Sequence, residues 1–446
     1  MFSAKKPQPS GGNAVPSQAT DAHLHQGTDG PLSRVISAQA WAAALLTRAL
    51  AGARAARSFA LPEVHRVLVV HLFEIGDMVW LSPFLRELRR MLPDAEITLM
   101  VKPEARSLVA NCPHVNEVMA YDADVARAWR PLVLPWRAFW TARRRLRPRR
   151  FDLALVPSLL ADNSYASFLA CFSGAPWRVG YAERITDRRR RLNRGFDRLF
   201  TGTVDEITLE HDIRHNLALI PFLGGTVESE ALEIWLDEDD EAFARAFLAE
   251  HGVAPGEALA ALCPTAGHSA LKQWPLEHFV RLARWLHEEK GMRVLVVGGP
   301  GDAAQGAAFD EALGPAVINA VGRTTLRQMA ALLKGCRCFV GGDAGPTHMA
   351  PALDVPTVAL FGASCHHRAG PWGAGRPHVL HQVVAHDIPC SPCGSGHRPG
   401  ADFRCPVCIL DEPHCMTGIT VEEVQRAVAQ ALLTPGRRLP LARENR

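Results

Sequence analysis

Residues 64–72 (VHRVLVVHL) form an unbroken β-branched and aliphatic run, the signature of a strand buried on both faces of a parallel sheet. The loop FEIGD at 73–77 separates it from a helical repeat over Met78–Leu92, with apolar positions at Val79, Leu81, Phe84, Leu85 and Leu88. Further strands are predicted at 96–101 (EITLMV) and 151–157 (FDLALVP). The same alternation restarts near residue 257, with a strand at 258–264 (ALAALCP) and an amphipathic helix at 276–290. Strands at 292–299 (MRVLVVGG), 336–343 (CRCFVGGD) and 356–362 (PTVALFG) follow. Strands alternating with helices predict an α/β doubly wound layer, and two such series predict two Rossmann-like halves facing one cleft. The acidic helical stretch 236–257, ending in HGVAPGE, is where the pattern places their connection. The expected organisation is a leading segment at 1–60, a first domain at 61–240 and a second at 241–435.

Residues 1–31 are rich in Gly, Pro, Ser, Gln and Asp without periodicity, as in a disordered tail. Residues 33–58 turn helical and basic, with Trp41, Leu45, Leu46 and Leu50 among Arg34, Arg48, Arg54 and Arg57. Such a stretch reads either as a solvated helix packed on the body or as one lying on an anionic membrane surface. The arginine-dense stretches 143–150, preceded by Trp129, Trp136 and Trp140, and 184–198 read either as solvated faces or as a docking surface for an anionic acceptor or lipid headgroups.

Composition narrows the class. In 446 residues, 48% are hydrophobic and 21% charged, so the bulk is globular. The 49 Lys and Arg against 46 Asp and Glu give +3, too balanced for a chain devoted to nucleic acid. No apolar run reaches the roughly 18 residues of a transmembrane helix. A cytoplasmic protein, peripheral on the inner membrane, is the expectation.

Open α/β sheets bind ligands beyond the carboxyl ends of their strands. Three loops at such ends carry polar residues. The first is Glu74–Asp77, where Gly76 permits a tight turn and Asp77 is expected at a helix N-cap. The second is CPTAGHSALKQWP at 263–275, where Thr265 leaves the strand and Lys272 can neutralise a diphosphate as a point charge. The third is GGDAGPTHMAPALDVP at 341–356, which places Asp343, a helix start at Gly345–Pro346 and His348 at one point. That combination suits an anionic, hydroxyl-bearing ligand such as a nucleotide sugar. No Walker A loop is present and no G-x-G-x-x-G follows the first strand, which disfavours ATP hydrolysis and NAD binding.

Together these segments resemble glycosyltransferase family 9, the ADP-heptose:lipopolysaccharide heptosyltransferases. The resemblance spans roughly residues 64–430. It rests on VLVVHLFEIGDMVWLSPFLRELRR, KQWPLEHFVRL, VLVVGGPGD and, most specifically, GGDAGPTHMAPALDVPTVALFG. It implies a GT-B fold with the acceptor on the first domain and the donor on the second. It also implies an inverting transfer of heptose from ADP-heptose to a lipopolysaccharide core, with no metal needed for the chemistry. By the same resemblance Asp77 is the general base, Thr265 and Lys272 contact the donor phosphates, and Asp343, Gly345 and His348 form the donor loop. Departures stand at Phe73 and Glu74, where the family often has small hydroxyl residues, and at Ala344, where Ser or Thr is common. The acid that often follows the VVGG strand has Asp302 as its nearest counterpart. Closure of the two domains is expected to exclude water from the transfer.

Cys390, Cys393, Cys405, Cys408 and Cys415 lie in the segment 390–415, two C-x2-C knuckles plus one thiol. Such knuckles can present thiolates tetrahedrally to a structural zinc or iron, whereas reduced, partly buried thiols are the plainer reading. A protein-modifying heptosyltransferase with Cys-bound metal and a non-catalytic GT-B binding protein are the two alternatives to a lipopolysaccharide enzyme.

Overall fold

The computed structural model describes residues 36–45 and 61–433, apart from 127, 207–209, 267–268, 374, 376–377, 394–407 and 409. The first aliphatic run becomes β1 (Arg66–His71), followed in chain order by β2 (Glu96–Val101), β3 (Glu117–Ala120), β4 (Leu153–Leu155), β5 (Trp177–Tyr181) and β6 (Gly202–Val204). They form one sheet in the order β3-β2-β1-β4-β5-β6. The second half supplies β7 (Leu259–Cys263), β8 (Arg293–Val296), β9 (Val317–Asn319), β10 (Cys338–Gly342), β11 (Thr357–Phe361) and β12 (His381–Ala385). These make a second sheet, β12-β11-β10-β7-β8-β9. Every pairing in both sheets is parallel. Read from its last-added edge, each sheet repeats the doubly wound order of a Rossmann half. Two such halves are the GT-B fold.

The buried runs explain the strands. In β1 and β2 only the first residue is exposed, and β7, β10 and β11 are buried throughout. Helices cover both faces, so no alternation is required. On one face of the first sheet Leu68, Val70 and Met100 pack against Leu134, Ala138, Phe168 and Leu169, and against Ile36, Ala40 and Ala43 of a helix over 36–45. On the other face Phe84, Leu85 and Leu88 join a core that continues across to Leu259, Ala261 and Phe339 of the second sheet. Residues 225–237 connect the two series without helix or strand, and the helix Glu238–Glu250 then begins at a capping box formed by Asp237 and Asp240.

The helical repeat expected over Met78–Leu92 is two helices, Ile75–Trp80 and Ser82–Met91. Pro83 has no N–H to give to the Val79 carbonyl, and the Ser82 hydroxyl donates to that carbonyl instead, at 2.7 Å. Asp77 is therefore not the N-cap. Glu74 holds that position, and Asp77 sits three residues further in, its Oδ2 accepting the Glu74 N–H at 3.1 Å.

The 184–198 arginines also differ from a uniform solvated face. Arg189 is buried and donates to the carbonyls of Ser158, Leu160 and Tyr181 at 3.1, 2.7 and 2.8 Å. It braces the loop after β4 from below. Asp162 in that loop accepts the N–H groups of Ala166 and Ser167, and Asn193 accepts the Asp162 N–H at 2.8 Å.

Candidate functional site

The switch points of the two sheets lie between β1 and β4 and between β7 and β10. The loops leaving these four strands converge. His71 ends β1, and with Asp77, Trp80, Ser158, Asp212 and His215 it lines a cleft of about 250 Å³. Across from it stand Asp343 and the helix Gly345–Ala352, which follow β10, and Lys272 from the loop after β7.

The second-domain side is a triad of contacting polar side chains, Lys272, Asp343 and His348. The Lys272 ammonium donates to Asp343 Oδ2, and His348 Nε2 lies 3.3 Å from Asp343 Oδ1. Burial alone would raise the Asp343 pKa, but the His348 hydrogen bond and the Lys272 charge override it and hold the carboxyl well below the usual range. Thr347 is buried and its hydroxyl closes onto the Gly342 carbonyl, fixing the turn. Thr265 is buried beside the same strand ends, and its hydroxyl donates to Asp302 Oδ2 at 3.3 Å. Asp302 in turn accepts the Gly299 N–H at 2.7 Å. Ala344 is the N-cap of the Gly345–Ala352 helix, and its methyl supplies no capping oxygen.

The two domains touch where the chain is thinnest. A Cβ built on Gly76 would lie 2.4 Å from His348 Cδ2, and one on Gly345 would lie 3.0 Å from Ile75 Cγ2. Only glycine permits this approach. The His348 ring cannot easily yield, because it packs edge-on to Trp80 at 4.4 Å between centroids and is tied to Asp343. Gly76→Ala is expected to cost about 1–3 kcal/mol of overpacking. It should lower Tm and open the two domains by small-angle scattering, while the isolated substitution leaves helix propensity improved. An unchanged scattering profile would mean the contact is not tight in solution.

A second interdomain seam was not legible as a motif. Arg368 donates to Asp212, which also accepts from His215 Nδ1 at 2.9 Å. His211 Nε2 meets the Gly370 carbonyl at 2.9 Å, and its ring packs on Trp80 and Trp372 at 5.4 and 4.7 Å. Burial would raise the Asp212 pKa, but Arg368 and His215 hold it down.

His71 titrates oppositely. Burial pushes its imidazole down to about 3. The unfolded chain takes up this proton near 6.5 and the folded chain refuses it. The stability it contributes is thus complete above pH 6.5 and lost as pH falls toward 3. At about 1.4 kcal/mol per pH unit, roughly 2 kcal/mol should disappear between pH 6.5 and pH 5. Urea midpoints at the two pH values check this, with His71→Gln expected to flatten the difference.

The cysteines are all free among the described residues. Cys415 is buried; burial, then the neighbouring Cys390 and Cys408 thiols, push its pKa up. No group of three or more His, Cys, Asp or Glu side chains among the described residues is placed to hold a metal ion, and Cys405 lies outside them.

Comparison with known proteins places this geometry. The profile of glycosyltransferase family 9 (heptosyltransferase) matches residues 139–395. Lipopolysaccharide heptosyltransferase 2 of Salmonella typhimurium is 27% identical over 320 residues, covering 67% of this chain and 83% of that protein. Lipopolysaccharide heptosyltransferase 1 of Pseudomonas aeruginosa is 25% identical over 388 residues, covering 83% of this chain and 99% of that one. Among solved structures, a family 9 glycosyl transferase from Veillonella parvula superposes with TM-score 0.65 at 21% identity, covering 85% of this chain and all of that one. Escherichia coli ADP-heptose heptosyltransferase II gives 0.61 at 21% identity, over 82% of this chain and 98% of that one. These likenesses show the same two-domain fold. With more than half of its length matched by the family profile, the chain belongs to glycosyltransferase family 9 and is a glycosyltransferase.

Proposed function

We propose that this enzyme transfers a heptose from ADP-heptose to a lipopolysaccharide core acceptor, with inversion at the anomeric carbon. The relatives are named lipopolysaccharide heptosyltransferases, and the observation that carries the reading here is the facing of two switch-point sites. On one side Asp77 lines the cleft, and on the other Lys272, Asp343 and His348 form a compact charged cluster. In this reading residues 61–240 hold the acceptor and residues 241–435 the donor.

The chemistry then follows from the charges. The Asp77 carboxylate takes the proton of the acceptor hydroxyl as its oxygen attacks the anomeric carbon. The bond from that carbon to the diphosphate breaks on the opposite face, through an oxocarbenium-like transition state. The departing diphosphate gains negative charge, which the Lys272 ammonium and the N–H groups opening the Gly345–Ala352 helix stabilise. Thr265 completes the phosphate contacts. Gly76 and Gly345 let the two halves close on the reaction without a side chain between them.

The test is direct. Purified protein, ADP-heptose and a heptose-deficient lipopolysaccharide core should yield an acceptor heavier by one heptose residue, with the product anomer opposite to the donor's. Donor hydrolysis without acceptor modification, or retention of configuration, would refute the reading. Transfer to protein side chains alone would favour a protein acceptor.

A further inference from the structure

The helix Arg130–Thr141 is apolar on both faces, unlike an ordinary surface helix. Its inner face, Pro131, Leu134, Pro135 and Ala138, is buried against the first sheet. Its outer face is apolar as well. Trp129, Leu132, Trp136 and Trp140 follow at helical spacing and are 60%, 51%, 66% and 46% exposed. The helix over 36–45 packs into the same core layer and exposes Trp41 and Leu45. Every tryptophan counted as exposed among the described residues, Trp41, Trp129, Trp136 and Trp140, thus belongs to one layer of one domain.

Charge accompanies the indoles. Between Trp129 and Arg150 the chain carries eight arginines and no acidic residue. Arg149 is engaged by Glu117, and Arg137 by Asp122. Arg143 and Arg144 are exposed, and Arg144 lies over the Trp140 ring at 5.3 Å. The helix terminates in this arginine-rich turn, so the apolar stripe and the cationic patch are contiguous.

We propose that this layer is a membrane-docking face whose occupant is a bilayer surface bearing anionic headgroups. Two features on the page select a bilayer over a protein partner. The exposed large side chains are chiefly indoles, whose rings partition into the headgroup zone while their N–H stays wet. The arginines flanking them match phosphate oxygens, and the stretch from Trp129 to Arg150 carries no acidic residue of its own, unlike a protein interface of mixed charge. Placement agrees. The loop carrying Trp129 leaves the carboxyl end of β3, the edge of the sheet that faces the cleft. A protein lying on this layer holds its cleft beside the bilayer, where a lipid-anchored acceptor would enter. That purpose rests on the proposed acceptor, but the docking face does not.

The experiment is co-sedimentation of the full chain with vesicles, with no donor or acceptor present, so its failure leaves the reading of the cleft intact. Vesicles of phosphatidylcholine with about a third phosphatidylglycerol should bind the protein with a blue shift of tryptophan emission, and binding should weaken with salt over the range where the Debye length falls from about 10 to 3 Å. Trp136→Ser with Trp140→Ser should lower the partition coefficient at least tenfold. Arg143→Gln with Arg144→Gln should lower it on anionic vesicles and leave the weak binding to neutral ones unchanged. Both variants alter exposed side chains and should keep the wild-type Tm, which is measured alongside. Absence of binding by the wild type overturns the proposal, as does binding that neither variant reduces. Sedimentation showing a concentration-dependent dimer that Trp136→Ser dissolves would overturn it in favour of a second copy of this chain.

Discussion

Asp77→Asn should fold normally and bind donor normally, yet transfer slower by about 10²–10⁴-fold, the usual contribution of a positioned general base. The substitution keeps the size of the side chain and the oxygen that accepts the Glu74 N–H, so the helix Ile75–Trp80 retains its start. What disappears is the charge and the capacity to take a proton. Rate, donor affinity and Tm are measured on one preparation. A variant with near-normal rate would move the base elsewhere, to Glu74 on the same turn or to Asp212 in the same lining. A variant that unfolds would show that the capping bond is what the carboxylate is needed for.

Lys272→Met should weaken donor binding by about 30-fold, the low end of the loss of about 2–5 kcal/mol that follows from removing one partner of a buried charge pair, because Lys272 itself is only partly buried. Two effects add. The diphosphate loses a cation, and Asp343 keeps its His348 contact but loses the ammonium, so a less compensated carboxylate faces the incoming anion. The pH dependence separates them. Asp343 is held below its ordinary range partly by Lys272, so the variant's carboxyl titrates higher and donor affinity should recover as the pH is lowered toward it. The wild type should show no such recovery. Calorimetric titration with ADP at several pH values gives both readings. Equal affinity of the two proteins at neutral pH would remove Lys272 from the phosphate site.

Much of this was legible in the chain because buried parallel strands leave continuous aliphatic runs, and every strand read in advance occurs within three residues of its expected ends. The loops at 72–77, 263–275 and 341–348 could be singled out for the same reason, since a strand end predicts where a ligand can bind. Helix boundaries near Asp77 were harder. The cap moved to Glu74, and Ser82–Pro83 split one helix into two, a break that the Ser-Pro pair could have signalled. The loop after β4 and the cluster His211, Asp212 and His215 carried no motif. Their meaning comes from Arg368 and Gly370, over 150 residues away, which only the docking of one domain on the other brings near. Arg189 misled for a related reason. In a run of four arginines nothing local tells which one turns inward to the carbonyls of a neighbouring loop.

The Arg368–Asp212 seam carries a consequence for kinetics. Together with the His211–Gly370 hydrogen bond it ties the second domain to the first beside the facing strand ends. Any opening of the two domains has to break both contacts, and any reclosing has to remake them. A maximal rate that falls with solvent viscosity would show that this opening, rather than the acidity of the acceptor hydroxyl, sets the pace of turnover.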